Sequence, residues 1–283
     1  IKSLREISGA GFLDCKSALE NNKNDIEKSL DYLRKKGLSK ALKKSSREAK
    51  EGAVGVFSNE EKILLIEINT ETDFAAKNEI FLDFLELISN FILQNKDIKD
   101  KISPEEFMKL PYENKTVNDL FGEIVSKIGE NIVLRKINIL QKKPDEYFFY
   151  YTHNSYRLNI GKISVALVAK ANQINDEIKT FGKNLCMHIA ASKPLAFDVN
   201  DLEKSIVVRE KEIQLETIKS SGKPKEILDK ILEGKMKKFY SESTLLNQNY
   251  ILDPDLTVEK VINEFSKKNN FEIINYNLVS LES

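Results

Sequence analysis

A carboxylate and a large aromatic side chain stand side by side at the junction of a predicted strand and a predicted helix. The segment reads Thr-Glu-Thr-Asp-Phe-Ala-Ala-Lys over residues 70–77. In one interpretation, Thr72 or Asp73 caps the helix, and Phe74, seven residues before Phe81, packs on the same apolar face. In the other, Asp73 and Phe74 form a probe that inserts into another protein. Composition alone favours the first interpretation.

The histidines and cysteines form no catalytic or metal-binding pattern. His153 and His188 are separated by predicted strands and a helix, and neither has a further ligand at metal-binding spacing. A packed or capping role is predicted for His188, whereas His153, at a predicted hairpin tip, suits packing and partner contact equally. Cys15 and Cys186 lie too far apart in sequence to define a disulfide framework. We therefore expect no enzyme activity, no metal and no cofactor, and a reducing cytoplasm as the location.

The overall charge argues against partners that recognise a strong net field. The chain of 283 residues carries 44 Lys and Arg against 44 Asp and Glu, so its formal net charge is zero. Neither a nucleic acid nor a membrane is expected as a direct partner. The longest apolar stretches, such as residues 163–169, are far shorter than the ~18 residues that a membrane-spanning helix needs. The length favours two or more modules over a single core.

One stretch departs from this neutrality. Residues 34–50 contain eight basic residues against one acidic residue, Glu48, which gives a local charge of +7. The preceding helix, with Leu30 and Leu33 at helical spacing, is predicted to end at Gly37. The stretch then forms either a solvated linker or a surface for RNA or an acidic protein.

Two blocks of the chain repeat one pattern of strands and helices. A shift of 100 residues superposes Leu85 on Leu185, and a shift of 141 residues superposes Thr116 on Thr257. These shifts of 141 and 100 differ by 41 residues, so the second copy carries an insertion between its two helices. The insertion shows apolar stripes on two charged segments with a turn at residues 220–224, which predicts an antiparallel helical hairpin.

Five motifs together resemble the bacterial elongation factor Ts family. The family's Thr-Asp-Phe-x-Ala-Lys stands at residues 72–77, and its opening motif around Gly-Ala-Gly-x-x-Asp-Cys-Lys stands within residues 4–16. Further matches are Lys-Ile-Gly-Glu-Asn-Ile at residues 127–132, Met-His-Ile-Ala-Ala-Ser-Lys-Pro at 187–194 and Ser-Gly-Lys-Pro-Lys-Glu-Ile at 221–227. The motifs occur in the family's order and span nearly the whole chain.

The resemblance implies an α+β fold. Its parts are an N-terminal three-helix module resembling a ubiquitin-associated domain, and a core of two related subdomains with antiparallel three-stranded sheets and flanking helices. An inserted antiparallel helical hairpin, the coiled-coil arm, completes it. The expected boundaries are residues 1–48 for the helical module with its basic linker, 49–141 for the first subdomain and 142–283 for the second, with the arm at about 198–245.

The resemblance also implies the function of a guanine-nucleotide exchange factor in translation elongation. Such a protein binds the GTPase elongation factor Tu in its GDP form, disturbs the Mg²⁺ and phosphate site, and promotes GDP release and GTP loading. The residues implied for displacing Mg²⁺ are Thr72, Asp73, Phe74 and Ala75, where Ala75 replaces the family's Val. The other implied contacts with elongation factor Tu are Lys16, Ile128, Gly129, His153, Ile251 and Leu252.

Two further interpretations stay open. The helical arm allows a homodimer, or a 2:2 complex with the GTPase, because two isolated helices bury little apolar surface on their own. The alternative function is an RNA- or ribosome-binding scaffold that uses the basic stretch at residues 34–50.

Overall fold

The computed structural model describes residues 1–8, 10–219 and 225–281. The helices are α1 (Lys2–Ser8), α2 (Phe12–Asn21), α3 (Ile26–Lys44), α4 (Asp73–Ala76), α5 (Glu79–Gln94), α6 (Pro104–Phe107), α7 (Val117–Ile128), α8 (Asp176–Ser192), α9 (Lys204–Lys219), α10 (Lys225–Ser243) and α11 (Val258–Asn269). The strands are β1 (Glu51–Ser58), β2 (Lys62–Thr70), β3 (Pro111–Tyr112), β4 (Lys115–Thr116), β5 (Val133–Gln141), β6 (Glu146–His153), β7 (Ile160–Gly161), β8 (Ile163–Lys170), β9 (Asn249–Tyr250), β10 (Asp253–Thr257) and β11 (Glu272–Ser280). This mixture of helices and small sheets confirms the predicted α+β class.

The chain forms two compact units. One unit comprises residues 1–143 and 152–166 with the C-terminal end from Val279, and the other comprises residues 144–151 and 167–278. The expected boundaries at residues 48 and 141 stay a prediction.

The N-terminal helices α1, α2 and α3 pack around a small core of their own. Leu4, Cys15, Ala18 and Leu19 are buried there, with Leu30 packed against them. Asp25 begins α3, because its side chain accepts a hydrogen bond from the Lys28 backbone N–H at 3.0 Å.

The prediction that this third helix ends at Gly37 is wrong, since α3 continues to Lys44. Gly37 faces α7, where a Cβ atom on it would lie 3.1 Å from Ser126 Oγ and 3.5 Å from the backbone oxygen of Gly122. A glycine inside a helix costs only about 1 kcal/mol relative to alanine, and close packing of two helices offsets it. Arg34, one turn earlier, forms an ion pair with Asp119 of α7.

The first sheet lies in the larger core. Its strand order is β5-β2-β1-β7, with β1 and β5 antiparallel to the central β2. All nine positions of β2 are buried. Leu64 and Ile66 of this strand share the core with Phe81 and Leu85 of α5 and Phe121 of α7.

A second sheet repeats this arrangement. Its three strands have the order β11-β8-β6, which matches β5-β2-β1 of the first sheet strand for strand. Thr116 and Thr257, 141 residues apart, cap α7 and α11 through their side chains. Gly129 and Asn270, again 141 residues apart, end the same two helices in the left-handed conformation. The internal repeat is therefore present in the fold, and the first sheet differs only by the short added strand β7.

The insertion consists of α9 and α10, which pack on each other through Ile218, Leu232 and Met236. Both helices fall within the expected range of about 198–245. The turn predicted at residues 220–224 lies outside the described residues.

A close approach in the second unit gives a test of its packing. A Cβ atom on Gly182 of α8 would lie 2.1 Å from Cδ1 of the buried Phe149, whereas one on Gly234 of α10 would meet nothing within 4 Å. We expect Gly182→Ala to lower the free energy of unfolding by about 1–3 kcal/mol through overpacking. We expect Gly234→Ala to raise it by up to about 1 kcal/mol through helix propensity. Urea unfolding of both variants checks this, and equal effects would contradict the assigned packing.

Candidate protein-interaction site

The segment after β2 folds into a single helical turn that presents Asp73 and Phe74 at the surface. Thr72 has an extended backbone, and its Oγ1 accepts a hydrogen bond from the Ala75 N–H at 3.2 Å, so Thr72 is the cap of α4. Ala75 and Ala76 are buried, whereas Phe74 is 83% exposed. The small side chains therefore face the core and the aromatic ring faces outward.

The interpretation that Phe74 packs beside Phe81 is wrong. A spacing of seven residues places two side chains on one face only when a continuous helix joins them. Here α4 ends after one turn, and α5 begins again with Asn78, whose side chain accepts from the Ile80 N–H at 2.9 Å. This break separates Phe74 from the apolar stripe of α5.

Asp73 is held beside Phe74 by a lysine. Lys77 Nζ lies 3.0 Å from Asp73 Oδ2 and also 5.7 Å from the centre of the Tyr156 ring. The hydrogen bond from Lys77 keeps the pKa of Asp73 below its ordinary value. The site thus presents an ionised carboxylate next to an exposed aromatic ring at neutral pH.

The end of α7 meets this turn. The Thr72 N–H donates to Glu130 Oε2 at 3.0 Å, and the Thr72 hydroxyl donates to Glu130 Oε1 at 2.7 Å. Of the two predicted contact residues that precede Glu130, Ile128 is half-buried and Gly129 is exposed with φ of 87°. The structure therefore brings Ile128 and Gly129 together with the segment of Thr72, Asp73, Phe74 and Ala75.

The loop after His153 is fastened to α5. His153 ends β6 and is exposed. Arg157 in this loop forms ion pairs with Glu79, with Asp83 at 2.7 Å and with Glu86 at 3.2 Å. These three carboxylates lie on one face of α5, so Arg157 holds the loop of His153 against the helix that follows the turn of Asp73 and Phe74.

The remaining predicted contacts lie elsewhere. Lys16 is on α2, exposed, with its Nζ 3.8 Å from Glu20. Ile251 and Leu252, 38% and 55% exposed, form the turn between β9 and β10 in the second unit.

A buried histidine holds that turn. The Ile251 N–H donates to His188 Nδ1 at 3.3 Å, and His188 Nε2 lies 3.0 Å from Gln248 Oε1. Since Nδ1 accepts, Nε2 must carry the proton and donate to Gln248, whose own amide nitrogen donates to the Ser192 and Glu242 carbonyl oxygens. Burial lowers the pKa of His188, which favours this neutral form. The predicted packed role of His188 is confirmed.

Comparison with known proteins decides the family. The sequence model described as Elongation factor TS matches residues 71–281. The chain is 38% identical to elongation factor Ts of Allorhizobium ampelinum over 94% of this chain and 85% of that protein. It is 37% identical to the proteins of the same name from Bartonella quintana, over 94% and 86%, and Agrobacterium fabrum, over 95% and 86%.

The chain belongs to the elongation factor Ts family. This membership confirms the resemblance drawn from the motifs and makes the chain a translation elongation factor of that family. Within the matched region lie the turn with Asp73 and Phe74, the end of α7 and the turn with Ile251.

Several residues that build the site carried no signal of their own in the sequence. Glu71 and Glu130 are charged residues in segments already rich in charge, Arg157 lies in a loop of otherwise uncharged residues, and no period or spacing marks the partners of any of the three. Only Glu130 was part of a motif that the family shares, at residues 127–132.

The basic stretch has internal partners. Arg34 pairs with Asp119, Lys36 Nζ lies 3.1 Å from Asp14, Lys44 donates to the Gly129 carbonyl oxygen, and Arg47 Nη1 lies 3.5 Å from Glu71. Lys50 pairs with Glu48 at 2.8 Å. Of the seven cations at residues 34–50 whose side chains the structure describes, five contact groups within their own unit, which weakens the stretch as an RNA surface.

Within residues 1–8, 10–219 and 225–281, no group of three or more His, Cys, Asp or Glu side chains could hold a metal ion. In the same part of the chain, no helix has the length and apolar character needed to cross a membrane.

The neutral His188 gives a pH prediction. Because its folded pKa lies below the ordinary value of about 6.5, its contribution to stability is complete above that pH and is lost as the pH falls through the folded pKa. We expect faster amide hydrogen exchange over residues 249–257 at pH 5.5 than at pH 7.5, after correction for intrinsic rates. His188→Gln should abolish this difference, and His153→Gln should keep it. Persistence of the full difference in His188→Gln would exclude His188 as its source.

Proposed function

We propose that the chain is a guanine-nucleotide exchange factor for the GTPase elongation factor Tu. It binds the GDP form, disturbs the Mg²⁺ and phosphate site, and promotes GDP release and GTP loading without catalysing a covalent reaction. The observation that carries this proposal is the 83% exposure of Phe74 beside an ionised Asp73 on a capped turn.

An exposed phenylalanine on an ordered turn is a suitable anchor for a protein partner. Aromatic anchors dominate the binding energy of many interfaces, and burial of a phenylalanine contributes about 1.5–3 kcal/mol. Because Thr72 caps the turn and Ala75 and Ala76 hold it to the core, little conformational entropy is lost when Phe74 inserts.

The neighbouring Asp73 carboxylate supplies the electrostatic part of the effect on GDP binding. An Asp73 carboxylate brought next to a Mg²⁺ and phosphate site repels the phosphates and competes for the cation. Insertion of Phe74 and approach of Asp73 then act in the same direction, and both weaken the binding of GDP.

Exchange follows from thermodynamic linkage. If the chain weakens nucleotide binding to the GTPase by some factor, nucleotide weakens binding of the chain by the same factor. The chain binds, GDP leaves, and GTP at higher concentration displaces the chain.

The other proposed contacts are Lys16, Ile128, Gly129, His153, Ile251 and Leu252. All except the half-buried Ile128 are exposed, which is consistent with a contact surface. A homodimer or 2:2 complex through α9 and α10 stays a prediction, for which sedimentation with and without the GTPase is the test.

We expect Phe74→Ala and Asp73→Ala each to lower the maximal rate of GDP release by about tenfold or more, in line with the loss of a central interface anchor. Both residues are exposed or half-buried at the surface, so circular dichroism and thermal unfolding should stay close to those of the unmodified chain. The measurement is stopped-flow release of fluorescent GDP from elongation factor Tu at fixed Mg²⁺.

Leu195→Ala is the matched control, because Leu195 is another exposed apolar residue, at 61%, outside the proposed contacts. It should retain full activity. No acceleration by the unmodified chain would contradict the exchange function. Salt-dependent binding of RNA, lost on neutralising the basic residues of 34–50, would then favour the scaffold alternative.

A further inference from the structure

Two carboxylates link the turn at residues 71–76, which we call the probe turn, to the end of α7. One carboxylate comes from each of the two segments. Glu130, just past α7, accepts from the Thr72 N–H and hydroxyl at 3.0 and 2.7 Å. Glu71, in the turn, accepts from the Asn131 N–H at 2.6 Å. Each segment therefore supplies a carboxylate that binds the backbone of the other, and we call this pair of contacts the carboxylate clasp.

The end of α3 supports the clasp from a third direction. Arg47 Nη1 lies 3.5 Å from Glu71 Oε1, and the Arg47 carbonyl oxygen accepts from the Asn131 side-chain amide at 2.7 Å. Lys44 donates to the carbonyl oxygen of Gly129. The loop of residues 129–131 thus lies between the probe turn and two cations at the end of α3, Lys44 and Arg47.

The other hydrogen bonds of Thr72 are local, with partners between residues 70 and 76. Apart from the clasp, Thr72 Oγ1 accepts from the Ala75 N–H, and the Thr72 carbonyl oxygen accepts from Thr70 Oγ1 at 2.7 Å and from the Ala76 N–H at 3.2 Å. Hydrogen bonds to an ionised carboxylate are about twice as strong as neutral ones. Glu130 holds Thr72 from outside residues 70–76 through two such bonds, and it thereby helps to set the direction of Phe74.

We propose that Glu130 is a positioning residue for nucleotide exchange, an inference that rests on the exchange function proposed above. Its carboxylate fixes Thr72, so that Asp73 and Phe74 are presented in one orientation relative to Ile128 and Gly129. The two proposed contact segments then reach the GTPase as one preorganised surface, and the cost of ordering them is met during folding.

The test compares Glu130→Gln with Glu123→Gln. Glutamine keeps the size of the side chain but carries no charge, and its NH₂ cannot accept, so both charge-assisted bonds are lost and the Thr72 hydroxyl can face the NH₂ only by reversing its role. Glu123 is a matched control on α7, since its carboxylate is bound by Lys115 at 2.8 and 2.9 Å and not by the turn. Glu71→Gln is a second variant of the clasp, used if Glu130→Gln does not fold.

The first readout is independent of activity. In the free chain, we expect Glu130→Gln to speed amide hydrogen exchange over residues 70–77 by about tenfold, the factor that corresponds to about 1.4 kcal/mol. Glu123→Gln should leave this segment protected. Equal protection in the two variants would overturn the proposal.

The second readout is GDP release at saturating factor. We expect Glu130→Gln to lower the maximal rate by about tenfold, the same factor of about 1.4 kcal/mol. In the Phe74→Ala background it should have little further effect, because it acts through Phe74, whereas any effect of Glu123→Gln should be additive.

The two proposals fail in different ways. If the unmodified chain does not accelerate GDP release, the exchange function and this inference both fall. If it does and Phe74→Ala matches it, the exchange function stands, but the role of Phe74 and this inference are wrong. If Phe74→Ala is slow but Glu130→Gln behaves like Glu123→Gln, the exchange function stands and the positioning role of Glu130 is wrong.

Discussion

The placement of the candidate site depends on the burial of β2. Because all nine positions of this central strand are buried, any slip or rotation would expose apolar surface on both of its faces. It pairs with β1 from Ile63 to Thr70 and with β5 from Lys62 to Asn69, with one irregularity in the β5 pairing between Glu67 and Ile68. The chain therefore leaves Thr70 at a defined point and direction, and only two residues remain before α4 begins. Phe74 is consequently presented from a constrained part of the molecule, although its ring lies in solvent.

Sequence alone predicted the parts of the fold that rest on local periodicity, and it failed where tertiary contacts decide. The repeat was detectable because capping threonines and core apolar residues recur at fixed shifts. Gly37 was misinterpreted as a helix end because its role is close packing against α7, which depends on residues more than 80 positions away. Phe74 was misinterpreted because its seven-residue spacing hid the break at Asn78. The motifs located the site, but the partners of Glu130 and Arg157 are contacts between distant segments that no local pattern encodes.

The two copies of the internal repeat share some of the contacts that hold the site and differ in others. At a shift of 100 residues, Asn172 stands in the second copy where Thr72 stands in the first. Its N–H donates to the Asn269 carbonyl oxygen at 3.0 Å, and its side-chain amide donates to the Lys268 carbonyl oxygen at 3.4 Å. In both copies, the junction after the central strand is thus hydrogen-bonded at the end of the second helix, α7 in the first copy and α11 in the second. Hydrogen bonds between these two segments are therefore a property that the fold shows in both copies.

The two copies differ in the residue that directly follows Gly129 at the end of α7 and Asn270 at the end of α11. At a shift of 141 residues, the counterpart of Glu130 is Phe271, which is buried at 1% exposure and packs edge-on against Phe181 with 5.1 Å between ring centres. Burial of an aromatic ring keeps the neighbouring chain packed against the core. A partly hydrated carboxylate instead stays at the surface, together with the turn that it binds. Correspondingly, Ile174, the counterpart of Phe74, is half-buried, while Phe74 itself is exposed. The carboxylate at position 130 therefore belongs to the copy whose aromatic residue is exposed, and the apolar group belongs to the copy whose equivalent residue is half-buried.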